Sequence, residues 1–86
     1  KVCTLDGEEV ALTRKEFQIL ALLLEHPDMV FSREEIMDRV WNDDVVVMGR
    51  TVDVNVTRLR KKIGPYGANI ITRLGHGYGF TKEIDL

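Results

Sequence analysis

Along the 86 residues the spacing of apolar positions switches between a period of two and one near 3.6, and each switch marks a new element. Val2 to Leu12 alternates apolar with polar residues on either side of Asp6-Gly7. Asp-Gly tolerates the positive φ of a tight turn, so strands are predicted at about 2–5 and 9–12, joined as a hairpin. From Thr13 the period lengthens. Phe17, Leu20, Ala21 and Leu24 recur at helical spacing, and Ile19, Leu22 and Leu23 widen the stripe, which puts this helix at the centre of the core. Thr13 and Glu16 form a capping box, with Leu12 and Phe17 at the two staple positions around it. His26-Pro27-Asp28 ends the helix, because a residue before proline disfavours helical backbone. His26 is thereby assigned a C-terminal capping role.

The same device recurs at Ser32 and Glu35, with Phe31 and Ile36 as the staple. A short second helix follows, its buried side carrying Ile36, Met37, Val40 and Trp41, and Asn42-Asp43-Asp44 ends it. A third helix is predicted over about 51–63. Val52, Val56, Leu59 and Ile63 fall at i, i+4, i+7 and i+11 and face the core. About 100° round lie Thr51, Asn55, Arg58 and Lys62, and further round Arg50, Val54, Thr57 and Lys61. Asp53 projects away from the Asn55 stripe and is placed in the first turn, where its charge suits the helix dipole. Gly64-Pro65-Tyr66-Gly67 terminates this helix. The tail, Ile70 to Phe80, reads as a hairpin with a glycine-rich tip. The fold class is α+β: an N-terminal hairpin, three helices and a closing hairpin, arranged as a helix-turn-helix carrying a wing.

Composition narrows the chemistry. One cysteine, Cys3, excludes an internal disulfide, and two histidines with it make a poor structural zinc set, so no metal or cofactor is expected. No apolar run approaches membrane-spanning length. No paired carboxylates, Ser–His–Asp set or metal spacing points to an enzyme. The Gly75-x-Gly77-x-Gly79 series lacks the helix and lysine of a phosphate loop and reads as a turn. The net charge of −2 taken alone disfavours a polyanionic partner, but it is an average of two unlike halves. Residues 1–49 hold five bases against eleven acids, a net of −6, and residues 50–86 hold seven bases against three acids, a net of +4. Five of those seven, Arg50, Arg58, Arg60, Lys61 and Lys62, lie within 13 residues. An anionic partner responds to that local patch before the mean.

A basic amphipathic helix after two shorter ones is what a helix-turn-helix presents to a major groove. Arg58, Arg60, Lys61 and Lys62 can neutralise phosphates, Asn55 can bond adenine bidentately and Arg58 guanine. The Thr51 hydroxyl, with free amides at the helix start, can take another phosphate. A merely solvated basic face remains the alternative on these residues alone.

Arg50-Thr-Val-Asp-Val-Asn-Val-Thr-Arg-Leu-Arg-Lys-Lys62-Ile63 resembles the recognition-helix signature of OmpR/PhoB-type response-regulator effector domains. Leu12-Thr13 with Glu16, Phe31-Ser32-Arg33-Glu34, Val40-Trp41 and Gly75-His-Gly77-Tyr78 fall in that family's order, so the resemblance runs from about Val2 to Phe80. It implies a winged helix whose third helix enters the major groove while the hairpin reaches the adjacent minor groove. It implies DNA contact by Arg50, Thr51, Asn55, Thr57, Arg58, Arg60, Lys61 and Lys62, by Thr72, Arg73 and Tyr78 of the wing, and by Trp41 at the DNA backbone. It further implies an RNA polymerase contact at Asp43, Asp44, Val45 and Val46, a receiver domain upstream of Lys1, and two copies paired head to tail on direct repeats in a bacterial cytoplasm. Residues 1–86 are then one effector domain of a longer protein. The acidic first half keeps a second reading open, a winged helix that docks on polymerase or on a receiver domain.

Two departures from the family pattern stand out. Family wings read Thr-Val-Arg-Gly, whereas this chain has Thr72-Arg73-Leu74-Gly75, so the arginine is displaced by one residue and turned to the other face of its strand. Gly79 stands where an arginine is common. Either Arg73 reaches DNA through an altered hairpin or the wing contributes less than usual.

Overall fold

The computed structural model describes residues 2–5, 7–41 and 47–82. Strands β1 (Val2–Leu5) and β2 (Glu8–Ala11) pair antiparallel, Val2 opposite Ala11 and Leu5 opposite Glu8. The hairpin is as predicted, with its second strand one residue earlier. Helix α1 (Arg14–Glu25) follows, then a two-residue strand β3 (Val30–Phe31), helix α2 (Arg33–Val40) and helix α3 (Gly49–Lys62). A short 3-10 helix, Gly64–Asn69, leads into β4 (Ile70–Arg73) and β5 (Gly77–Phe80).

Both predicted capping boxes are present in full. The Thr13 hydroxyl accepts from the Glu16 amide at 3.1 Å and Glu16 Oε1 accepts from the Thr13 amide at 2.9 Å. Ser32 and Glu35 repeat the exchange at 3.1 Å each way. His26 caps the C-terminus of α1 through its amide, and its ring meets Phe31 edge-on.

The core gathers Ile19, Leu20, Leu22 and Leu23 of α1, Ile36 and Val40 of α2, and Val52, Val56 and Leu59 of α3, closed by Leu12, Phe31, Ile63, Ile70 and Tyr78. The α3 stripe is as predicted. The α1 stripe is rotated from the prediction, for Leu24 is 49% exposed and the buried face runs through Glu16, Ile19, Leu20 and Leu23. One charged side chain therefore lies inside the apolar face.

Three features escaped prediction. β3 is too short to show a period, yet it pairs with β5, giving the sheet order β3-β5-β4. The 3-10 helix, with Pro65 in its first turn, extends the stop after α3 into a defined turn. α3 begins two residues early at Gly49, so Asp53 lies beyond the first turn and does not serve the dipole there.

Candidate nucleic-acid interface

α3 is fixed to the body on two sides and open on the rest. Its N-cap, Met48, gives no side-chain hydrogen bond, in contrast to Thr13 and Ser32 on α1 and α2. The uncapped end is thus at Met48–Arg50, ahead of the predicted place. Thr51 sits one step inside, its amide already donating to the Met48 carbonyl at 2.8 Å. Its amide is not free to bind phosphate.

Asp53 holds three elements together. Arg33, the first residue of α2, grips it bidentately, Nε to Oδ1 at 3.1 Å and Nη2 to Oδ2 at 2.9 Å. The Tyr78 hydroxyl of β5 donates to Oδ1 at 2.5 Å. Tyr78 is buried, and burial followed by the Asp53 carboxylate pushes its phenol up to about 12, since both disfavour phenolate. This fixes the wing to α3 and places the Tyr78 side chain inside the fold.

Arg60 makes the second wing attachment. Its Nε and Nη2 donate to the Ile70 carbonyl at 3.1 and 2.7 Å, and Nη2 also reaches the Thr72 hydroxyl at 2.7 Å. The guanidinium lies 5.8 Å from the centre of the Tyr78 ring. Arg60 and Thr72 therefore bond each other at the helix–wing junction.

Lys62 is tied inward as well. Its ammonium meets Glu16 Oε1 at 2.7 Å, and the Glu16 side chain is fully buried. Burial raises the Glu16 carboxyl, but the Lys62 and Thr13 hydrogen bonds outweigh it and hold the group below its ordinary value. Glu16 is the residue sequence reasoning missed. It was read only as a cap, although its spacing to Leu20 and Leu23 puts it on the buried stripe.

None of the other polar residues of α3 is buried. Arg50, Arg58 and Lys61 are exposed and have no protein partner among the described residues. Thr57 is exposed with its hydroxyl donating to the Asp53 carbonyl at 3.0 Å, and Asn55 is half-buried with Nδ2 donating to the Thr51 carbonyl at 2.8 Å. A bidentate adenine contact uses Oδ1 and one Nδ2 hydrogen, so the second hydrogen can stay on the Thr51 carbonyl while Asn55 makes it.

On the wing, Arg73 is exposed and opposite Gly77. Strand alternation turns it away from the face on which Thr72 bonds Arg60. At Gly79, a Cβ would stand 2.5 Å from the Met29 carbonyl oxygen. The family arginine there would require β5 to move away from the chain before β3.

Trp41 is the C-cap of α2, half-buried against the core, with the Lys15 ammonium 5.5 Å from its ring. Lys15 also bonds the Val40 carbonyl at 2.7 Å. Asp43, Asp44, Val45 and Val46 lie outside the described residues. A cleft of about 300 Å³ separates Ser32, Arg33 and Glu34 from wing residues 72–78. Among the described residues no His, Cys, Asp and Glu group could hold a metal, and no helix is long and apolar enough to cross a membrane.

Residues 7–80 match the family model described as "Transcriptional regulatory protein, C terminal". The chain belongs to this family. Among its relatives are the sensory transduction protein BceR of Bacillus subtilis, 44% identical over 82 residues, and the phosphate regulon transcriptional regulatory protein PhoB of Escherichia coli, 41% identical over 81. The matches cover 93% and 91% of this chain but 35% of each relative, so the chain spans about a third of their length. The DNA-binding domain of the response regulator AdeR, solved with an intercistronic region, is 31% identical with a TM-score of 0.82, covering 95% of this chain and 86% of that one. The Klebsiella pneumoniae RstA DNA-binding domain, solved with the RstA box, is 33% identical with a TM-score of 0.77, covering 93% and 82%. This transcriptional-regulator C-terminal domain is thus a winged-helix, OmpR/PhoB-type DNA-binding output domain.

Proposed function

We propose that the chain binds double-stranded DNA sequence-specifically through the outward side of α3, as the output domain of a bacterial, cytoplasmic two-component regulator. The observation that carries this reading is the division of α3. Val52, Val56 and Leu59 are completely buried, while Arg50, Arg58 and Lys61 stand exposed on the remaining surface. In the major groove, Asn55, Thr57 and Arg58 read base edges, and Arg50 and Lys61 neutralise phosphates. The uncapped start of α3 favours a further phosphate beside Arg50 and Thr51. Lys62 and Arg60 support this surface from behind, with Thr72 and Tyr78, while Trp41 stands at the end of α2 for a backbone contact. A receiver domain upstream, two copies on direct repeats, and a polymerase contact within residues 42–49 complete the proposal.

Among the described residues, Arg50, Arg58, Lys61 and Arg73 are the unengaged cations of α3 and the wing strands. Binding to a cognate duplex should therefore weaken along a log–log line in salt, with a slope no steeper than about −4 per bound copy. In the same titration Asn55→Ala should relax preference at one base position by about 1–3 kcal/mol, and Lys61→Ala should weaken all sequences alike. A flat salt response would overturn the DNA reading in favour of protein docking. Equal loss on cognate and random duplex for Asn55→Ala would overturn the division of roles.

A further inference from the structure

The wing ends in a turn whose corner is apolar. The His76 amide donates to the Arg73 carbonyl at 2.9 Å, enclosing Leu74 and Gly75 as the two central residues. Gly75 takes φ 79° while Leu74 does not enter the positive region, which is the geometry of a type II turn. Leu74 therefore holds the first corner position, where a side chain projects from the hairpin and cannot fold back on the sheet. It is 91% exposed, far beyond the next large apolar side chain, Met48 at 75%. A single exposed leucine on a flat surface carries no message. This one stands at the extremity of a rigid arm, whose base is bonded to the recognition helix through Arg60 and Tyr78.

We infer that Leu74 is the minor-groove contact of the wing, an apolar side chain buried against sugar and base edges where a cation would otherwise enter. The inference rests on the DNA reading above. One feature of the molecule and one general property of the minor groove support it over contact by Arg73. Arg73 is on a strand and directed off the face that joins the helix, whereas Leu74 is in the turn and ahead of it. Apolar side chains, leucine among them, recur as minor-groove wedges because the groove walls and the base steps offer non-polar surface.

Charge separates the two contacts experimentally. Burial of leucine releases no counterions, so its loss changes affinity without changing salt dependence, whereas loss of a phosphate-bound arginine lowers the slope. Wild type, Leu74→Ser and Leu74→Arg would be titrated with a selected cognate duplex across a salt series. Leu74→Ser should bind roughly tenfold more weakly, with an unchanged slope and an unchanged melting temperature, since the side chain packs on nothing. Leu74→Arg should recover affinity at low salt and steepen the slope by about one. Wild-type affinity in Leu74→Ser, or a shallower slope, would overturn the inference. If the wild type itself shows no salt-dependent binding, the DNA reading fails first, and the two failures are told apart by that arm.

Discussion

Arg58 and Lys61 lie on α3 beside Arg60 and Lys62, yet the two pairs have opposite surroundings. The first pair is exposed and unengaged among the described residues. The second is spent on the fold, Arg60 on the Ile70 carbonyl and Thr72, Lys62 on buried Glu16. The sequence stripe that joins Thr51, Asn55, Arg58 and Lys62 gives no hint of this, because helical spacing records direction around an axis and not what lies opposite. A basic helix is thus a poor measure of how many cations remain for a polyanion. Half of these four are mechanical.

The sharpest break of that comparison is Glu16→Ala. It removes the buried acceptor of Lys62 and half of the α1 capping box together. We expect a loss of about 2–3 kcal/mol in unfolding by urea, kept below a fully buried pair because the ammonium can swing to water. The acid limb gives a second check. The folded carboxyl ionises below its unfolded value, so its stabilisation is complete above the unfolded value of about 4.3 and disappears as pH falls through the folded one. Glu16→Gln should flatten that limb of stability against pH, and an unchanged limb would remove Glu16 from this role.

Next in size is the contrast of Arg60→Ala with Arg58→Ala. Losing the Arg60 contacts should lower stability by about 1–2 kcal/mol, since the Ile70 carbonyl loses its charged donor. Arg58→Ala should melt as the wild type does while its salt slope on DNA falls by about one. Equal stability losses in calorimetry would erase the distinction between engaged and free cations.

The smallest expected effect belongs to Tyr78→Phe, about 1 kcal/mol for one hydrogen bond to a carboxylate whose other partner, Arg33, remains. Tyr78 is held neutral up to about pH 12 in the folded chain against about 10 unfolded. Its contribution is therefore full below about 10 and fades as pH rises towards 12. Wild type should lose stability over that window more steeply than Tyr78→Phe. Parallel curves would mean that the hydroxyl does not bond Asp53 in solution.

What could be read from the chain alone was local. Both capping boxes, the α3 stripe and the closing hairpin depend on residues three to twelve apart, and each stands where patterning put it. What could not be read was pairing across long separations. Glu16 and Lys62 are 46 positions apart, Asp53 and Tyr78 are 25 apart, and β3 acquires strand geometry only by lying against β5. Trp41, Arg60, Lys62, Thr72 and Tyr78 were assigned to DNA by charge or motif position, and all five have identified partners within the fold. Glu16 was legible in part, because its register on α1 already put a carboxylate among leucines.

The sheet order β3-β5-β4 bears on how such a regulator can diverge. Its middle strand supplies Tyr78 to the core, its edge strand supplies Ile70, and backbone leaves no space beside Gly79. Drift at these positions disturbs the wall of the domain before it alters what the domain recognises. Exposed Arg73 and the turn beyond it are exempt, although Gly75 is held there by its φ. Evolutionary latitude in the wing is thereby concentrated on Arg73, Leu74 and His76, three positions at which a lineage can try new targets while keeping the same body.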